Sequence, residues 1–198
     1  MLEVKDATIA VGGRTLATGL SFIAKDGQMT CITGPEGSGK TVMLRTLMGF
    51  LPVVSGFVSV DGELLTVLSA HAFRRMMVYL PQQMQLLAHQ MMPPEAVVPE
   101  ADDYAVWNAL LPNAVAVQQP ERLGPEDIFR MISETMQGAA DRRIIIADEP
   151  AALLPPDLSQ QMLQLLRRQA DAGKTVLIAS RRQLLLDHAD QVIEIKSE

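Results

Sequence analysis

Gly34-Pro35-Glu36-Gly37-Ser38-Gly39-Lys40-Thr41 decides the reading of this chain, because it fits G-x-x-x-x-G-K-[ST], the pattern of a loop that cradles nucleotide phosphates. Each residue type has a chemical reason. The glycines let backbone N–H groups curl around phosphate oxygens, Lys40 reaches the β and γ oxygens, and the Thr41 hydroxyl ligates Mg²⁺. The whole loop from Gly34 to Thr41, with Val42 after it, is therefore expected to bind the cofactor. The flanks agree: residues 29–33 read as a buried, β-branched strand and 41–48 as a helix, so strand, loop and helix follow in the required order.

Outward from the loop, composition narrows the class. A chain of 198 residues that is 48% hydrophobic buries one good core, and a single domain over 1–198 with a small insertion is expected. The formal net charge of −6 and the lack of a Lys/Arg block argue against nucleic acid and anionic membrane as partners. The pairs Arg74-Arg75, Arg142-Arg143 and Arg167-Arg168 read as solvated helix faces or strand flanks. One cysteine, Cys31, excludes an internal disulfide and reads as a small buried hydrophobe. With no run of about 18 apolar residues and no signal pattern, the expected location is cytoplasmic, reaching the inner face of the membrane only through a partner.

Residues 2–10 and 19–24 alternate like half-exposed antiparallel strands, with turns at Gly12-Gly13 and Asp26-Gly27. Strands are also expected at 57–60 and 77–80, and a short helix at 70–76. The pattern then loosens through Met91-Met92-Pro93-Pro94 and Val98-Pro99-Glu100, although Asp102-Asp103 offers a cap for a short helix through Leu111. Residues 83–140 are read as a reduced, irregular or helical subdomain. Order returns with 142–149, a β-branched run ending in Asp148 and Glu149. A helix follows, capped by Asp157, striped by Leu158, Met162, Leu165 and Leu166 and closed by Gly173. The last strands are 175–179 and 192–195, with 184–188 helical between them. The sum is an α/β domain with a parallel core sheet and an antiparallel N-terminal β layer.

A hydrophobic strand ending in Asp148 places a fixed carboxylate where it can share Mg²⁺ with Thr41, and Glu149 beside it is the natural residue to orient and deprotonate water. In this setting the chain resembles the ATP-binding subunit of ABC transporters over residues 2–90 and 142–196. The resemblance rests on the Gly12-Gly13 turn, the phosphate loop, Ser55-Gly56 with Asp61-Gly62, the stretch 68–75, Val78-Tyr79-Leu80-Pro81-Gln82, and Ala147-Asp148-Glu149-Pro150. It implies a P-loop NTPase fold of ABC type and binding of ATP with Mg²⁺. It also implies that Gln82 touches the metal or the attacking water, and that the loop after it docks on a membrane subunit.

Departures from the family cluster on catalysis and dimer closure. Where the family stacks an aromatic on adenine, this chain has Val11, which leaves apolar contact but loses roughly 1–3 kcal/mol if base stacking on nucleic-acid proteins is a guide. The signature pentapeptide, which clasps the γ-phosphate held by the opposing subunit, aligns with Leu123-Gly124-Pro125-Glu126-Asp127, or alternatively near Ser133-Glu134-Thr135. In the first alignment Pro125 has no N–H. Glu126 and Asp127 bring like charge towards a triphosphate, at about 4 kcal/mol each for 4 Å and an effective dielectric near 20 before screening. The loop after Glu149 reads Ala151-Ala152-Leu153-Leu154-Pro155 and lacks the family's aspartate, and Arg181 replaces its phosphate-contacting histidine. Arg181 is either an in-cis charge stabiliser or a solvated residue. Met76, Met77, Met84, Met91 and Met92 are either a partner-docking surface or core filler.

The expected function is a transporter ATPase subunit with impaired catalytic motifs. Gln82, Glu149 and Arg181 are its catalytic residues, and Thr41, Asp148 and Gln82 its metal ligands. Its partners are a membrane-spanning subunit and a dimer mate, either a second copy or a complete ABC ATPase. The alternative is a non-hydrolysing module that senses nucleotide or holds an assembly together. A P-loop kinase or GTPase is disfavoured by the lack of an N-K-x-D pattern.

Overall fold

The structure is a computed structural model that describes residues 1–82 and 124–195. Two sheets carry the described chain. Strands β1 (Leu2–Val11), β2 (Arg14–Ala24), β4 (Ser55–Val60) and β5 (Glu63–Leu64) form an antiparallel layer in the order β2-β1-β4-β5. Gly12-Gly13 is the two-residue turn of its β1–β2 hairpin, with Val11 paired to Arg14. Strands β3 (Met29–Thr33), β6 (Met77–Leu80), β7 (Ile144–Asp148), β8 (Thr175–Ala179) and β9 (Gln191–Glu194) form a second sheet in the order β6-β7-β8-β3-β9, with every neighbouring pair parallel.

The two-residue period of the strands explains how one sheet serves two cores. Ile144 and Ile146 of β7 and Leu177 of β8 face the antiparallel layer and helix α1 (Lys40–Leu47), packing with Leu2, Val4, Phe22, Leu44 and Leu47. Their neighbours Ile145, Ala147, Val176 and Ile178 face the other way. There they meet helices α3 (Pro125–Gly138), α4 (Pro156–Asp171) and α5 (Gln183–Asp187) through residues such as Ile132, Met162 and Leu185. Helix α2 (Ala70–Arg75) leads into β6. Cys31 is fully buried in the second core; burial, reinforced by the charge of Glu149, pushes its thiol up to about 12.

Several local expectations shift by physical detail. Asp157 does not cap α4: the N-cap is Pro155, with no side-chain bond, and Asp157 falls in the first turn, where its charge favours the helix dipole. The α4 stripe is Leu158, Met162, Leu163 and Leu166, while Leu165 is only half-buried. Of the methionines, Met77 is buried in the first core and Met76 packs against it, so both are core; Met84, Met91 and Met92 lie outside the described residues. The proposed helix at 102–111 also lies outside them. Within 83–140, the described part is largely the single amphipathic helix α3, which buries Ile128, Ile132 and Met136 at four-residue spacing.

The remaining arginine pairs tie the surface together rather than facing water alone. Arg74 stacks over Phe50 with 4.7 Å from its guanidinium carbon to the ring centroid, and Arg143 pairs with Asp61 at 2.9 Å. Arg167 bridges Asp171 and Asp190, at 3.2 and 2.8 Å.

Candidate nucleotide site

In a parallel sheet the residues just beyond the strand ends converge, and here three such segments lie side by side: Gly34 after β3, Glu149 after β7 and Ser180-Arg181 after β8. The loop is held by its glycines at close quarters. A Cβ at Gly34 would stand 2.6 Å from the Ile195 carbonyl oxygen and 2.8 Å from Ser38 Oγ. One at Gly39, where φ is +90°, would stand 2.6 Å from Leu16 Cδ1. Leu16 belongs to β2, so the antiparallel hairpin braces the loop directly. Lys40 is buried, and its Nζ donates to the carbonyls of Gly34 and Pro35 at 3.0 and 2.9 Å, which centres the ammonium inside the loop.

α1 starts immediately after Gly39, with no acidic residue in its first turn and no side chain capping its N-terminus. Its leading N–H groups and dipole therefore face an anion site. Ser38 Oγ is buried and has no protein partner. Thr41 and Val42 follow at the start of α1, half-buried, with Val42 against the first core. Val11 sits 42% exposed at the end of β1, which leaves it open for contact with a base.

The two carboxylates at the end of β7 differ in their company. Asp148 is 1% exposed; Tyr79 Oη donates to its Oδ2 at 3.4 Å, while its Oδ1 is buried without a partner. Burial, with the Asp148 charge behind it, pushes the Tyr79 phenol up to about 12. A buried carboxylate oxygen with nothing to accept is costly unless something binds it, and a hard cation with oxygen ligands suits it. Among the described residues no cluster of three or more acidic, His or Cys side chains could cage a metal by itself. The unpartnered Asp148 Oδ1 therefore suits a divalent cation that takes its remaining ligands from outside the protein.

Glu149 adopts φ of +48°, an uncommon state for a non-glycine residue that costs of the order of 1–2 kcal/mol. Its side chain is nearly buried. Oε2 accepts from Ser180 Oγ at 3.2 Å, and Arg181 Nε lies 3.6 Å from Oε1. Arg181 also reaches across to the loop, pairing with Glu36 at 3.2 Å, so it spans the mouth of the site rather than projecting freely into solvent. Gln82 lines a narrow cleft together with Glu149, Ile128, Ile132, Leu153 and Leu154, which places the end of β6 near the β7 carboxylate.

The two candidate signature segments fall at different places in one helix. Gly124 is the N-cap of α3 with Pro125 at its first position, whereas Ser133 lies in mid-helix. Asp127 accepts from the Gly124 backbone N–H at 3.2 Å and pairs with Arg130 at 2.7 Å, so its charge is engaged within its own helix. Tyr79, Ser180 and Arg182 were not singled out individually from sequence as parts of the site. The register would have found two of them, since Ser180 directly follows the residue paired with Asp148, and Tyr79 lies on the strand beside β7.

Comparison with known proteins agrees with this geometry. The family model described as ABC transporter matches residues 17–152. The hemin import ATP-binding protein HmuV of Methylobacillus flagellatus is 27% identical over 97% of this chain and 79% of that protein. The energy-coupling factor transporter ATP-binding protein EcfA2 of Leuconostoc mesenteroides is 31% identical over 85% of this chain and 65% of its own length. Among solved structures, the ATP-binding cassette MJ0796 bound to ADP and Pi superposes with a TM-score of 0.71 at 21% identity, covering 100% of this chain and 97% of that one. Phosphate loop, carboxylate strand, two-sheet fold and family match converge: the chain belongs to the ABC transporter family, as one of its nucleotide-binding domains.

Proposed function

We propose that this chain is the ATP-binding subunit of a membrane transporter, that it binds Mg-ATP through residues 34–41, and that it hydrolyses ATP slowly unless a partner subunit completes the site. The observation that carries the reading is the pairing of an intact phosphate-holding side with an altered clasp. Ser38 Oγ and Asp148 Oδ1 are buried without protein partners and Lys40 is buried within the loop, whereas α3 begins with Pro125, Glu126 and Asp127.

In this reading the loop N–H groups and the start of α1 hold the phosphates, and Lys40 turns from the Gly34 and Pro35 carbonyls to the β and γ oxygens. Thr41, Asp148 and Gln82 would hold the metal, which when bound would neutralise charge on the β and γ phosphates. Glu149 orients the attacking water and accepts its proton, steadied by Ser180. Arg181 lies on the same carboxylate and competes for it, while offering a guanidinium to the γ-phosphate in place of the family's histidine. Val11 gives the base an apolar contact without a stacking ring.

The partners follow from the family and the altered clasp: a membrane-spanning subunit that brings the chain to the inner face of the membrane, and a dimer mate that is a complete ABC ATPase. A second reading, a non-hydrolysing module that senses ATP, is favoured by the Arg181–Glu149 contact, which occupies the expected base. Affinity capture of the tagged chain from its native membranes separates the two. Recovery of a membrane subunit together with a second, complete ATPase is the expected outcome; recovery of neither would overturn the transporter reading.

A further inference from the structure

We infer that Arg182 is a positioning residue, a clamp within the chain that fixes the turn after Glu149 and, through Ser180, the Glu149 carboxylate. The need for a clamp is written in the turn itself. Ala151-Ala152-Leu153-Leu154 carries no polar side chain, yet its backbone folds tightly, with Ala152 N–H donating to the Glu149 carbonyl at 3.0 Å and Leu154 N–H to that of Ala151 at 3.2 Å. Ala152 is half-buried and Leu154 buried, so their carbonyls left unpaired would carry a desolvation cost.

Arg182 meets that need. Its Nη2 donates to the carbonyls of Ala152 and Leu154 at 3.0 and 3.1 Å, and its Nη1 to Ser159 Oγ at 3.3 Å. Ser159, buried at the start of α4, donates in turn to the Leu154 carbonyl at 3.1 Å. Two carbonyls and a hydroxyl converging on one planar fork match a guanidinium and not the point charge of a lysine. The backbone closes the circuit: Arg182 N–H donates to Ser180 Oγ at 3.1 Å, and Ser180 Oγ donates to Glu149 Oε2 at 3.2 Å. One residue thus grips both the turn that follows Glu149 and the hydroxyl that orients its side chain, and Glu149 keeps its positive φ within that frame. The adjacent arginines divide the work, with Arg181 facing the phosphate loop and Arg182 the turn.

That the clamp matters to a nucleotide site rests on the function proposed above, and the test separates the two. Mg-ATP affinity by calorimetry and amide hydrogen exchange are measured on the full chain as wild type, Arg182→Ala and Arg182→Lys. In Arg182→Ala the amides of Ala152 and Leu154 are expected to exchange at least tenfold faster, those of Val176 to Ala179 are unchanged, and Mg-ATP affinity stays within about threefold. Arg182→Lys, which retains the charge but not the fork, restores part of the protection. Should Arg182→Ala fail to fold, Arg182→Lys is read against wild type in its place, with a smaller loss of protection confined to the same segment expected. Unchanged exchange at Ala152 and Leu154, or equal acceleration in β8, would overturn the clamp. A wild-type chain that binds no Mg-ATP would overturn the nucleotide reading and leave the exchange result to judge the clamp alone.

Discussion

Helices α1 and α3 both begin with glycine at the N-cap, and the difference between their first turns teaches more about this protein than either does alone. α1 opens with Gly39-Lys40-Thr41, has no acid in its first turn and leaves its N–H groups uncapped by any side chain. α3 opens with Gly124-Pro125-Glu126-Asp127: the proline removes a donor, and Asp127 accepts from the Gly124 N–H while pairing with Arg130. One helix start is built to receive an anion from outside. The other has supplied its own.

The largest effect that tests this contrast belongs to Lys40. Lys40→Ala removes the charged donor at the centre of the loop and is expected to weaken Mg-ATP binding by about 3 kcal/mol, roughly a hundredfold by calorimetry. An unchanged affinity would break the comparison on the α1 side. Next comes Asp127→Ala, which should lower unfolding stability by about 1 kcal/mol through loss of the cap, yet leave Mg-ATP affinity of the chain untouched. A fall in affinity comparable to that of Lys40→Ala would mean that α3 serves nucleotide within the same chain.

The smallest effect is at Glu36, a carboxylate on the rim of the loop. It is exposed and paired with Arg181, so Glu36→Gln should raise Mg-ATP affinity about two- to threefold at low ionic strength and lose that gain near 1 M salt. A decrease would identify Glu36 as a ligand rather than a screened like charge.

How much of this was legible beforehand depends on range. The phosphate loop, β3, α1 and the run ending at Asp148 and Glu149 are readable because their chemistry is local in sequence, and the unbroken apolar run of β7 fits a strand buried on both faces. Leu123 to Asp127 is one of two candidate signature segments in the sequence, and the capping of α3 by Asp127 and its pairing with Arg130 appear only in three dimensions. Asp157 resembles a cap because an acidic residue precedes an apolar stripe; the adjacent prolines start the helix two residues earlier instead. Ser180 and Arg182 escaped notice because their partners lie 23 to 31 residues away and include main-chain carbonyls, which no residue pattern records. Arg181 was noticed, but its simultaneous reach to Glu36 and Glu149 could be read only from the strand order.

On the function proposed above, this chain holds nucleotide by itself but does not turn it over at an enzyme's pace by itself. The most direct measurement is steady-state phosphate release by the purified chain with saturating Mg-ATP, alongside calorimetric binding and a Glu149→Gln control. The account predicts one bound nucleotide per chain and turnover well below about 1 s⁻¹, at the low end of ordinary enzyme rates. Turnover above that rate, abolished by Glu149→Gln, would contradict it.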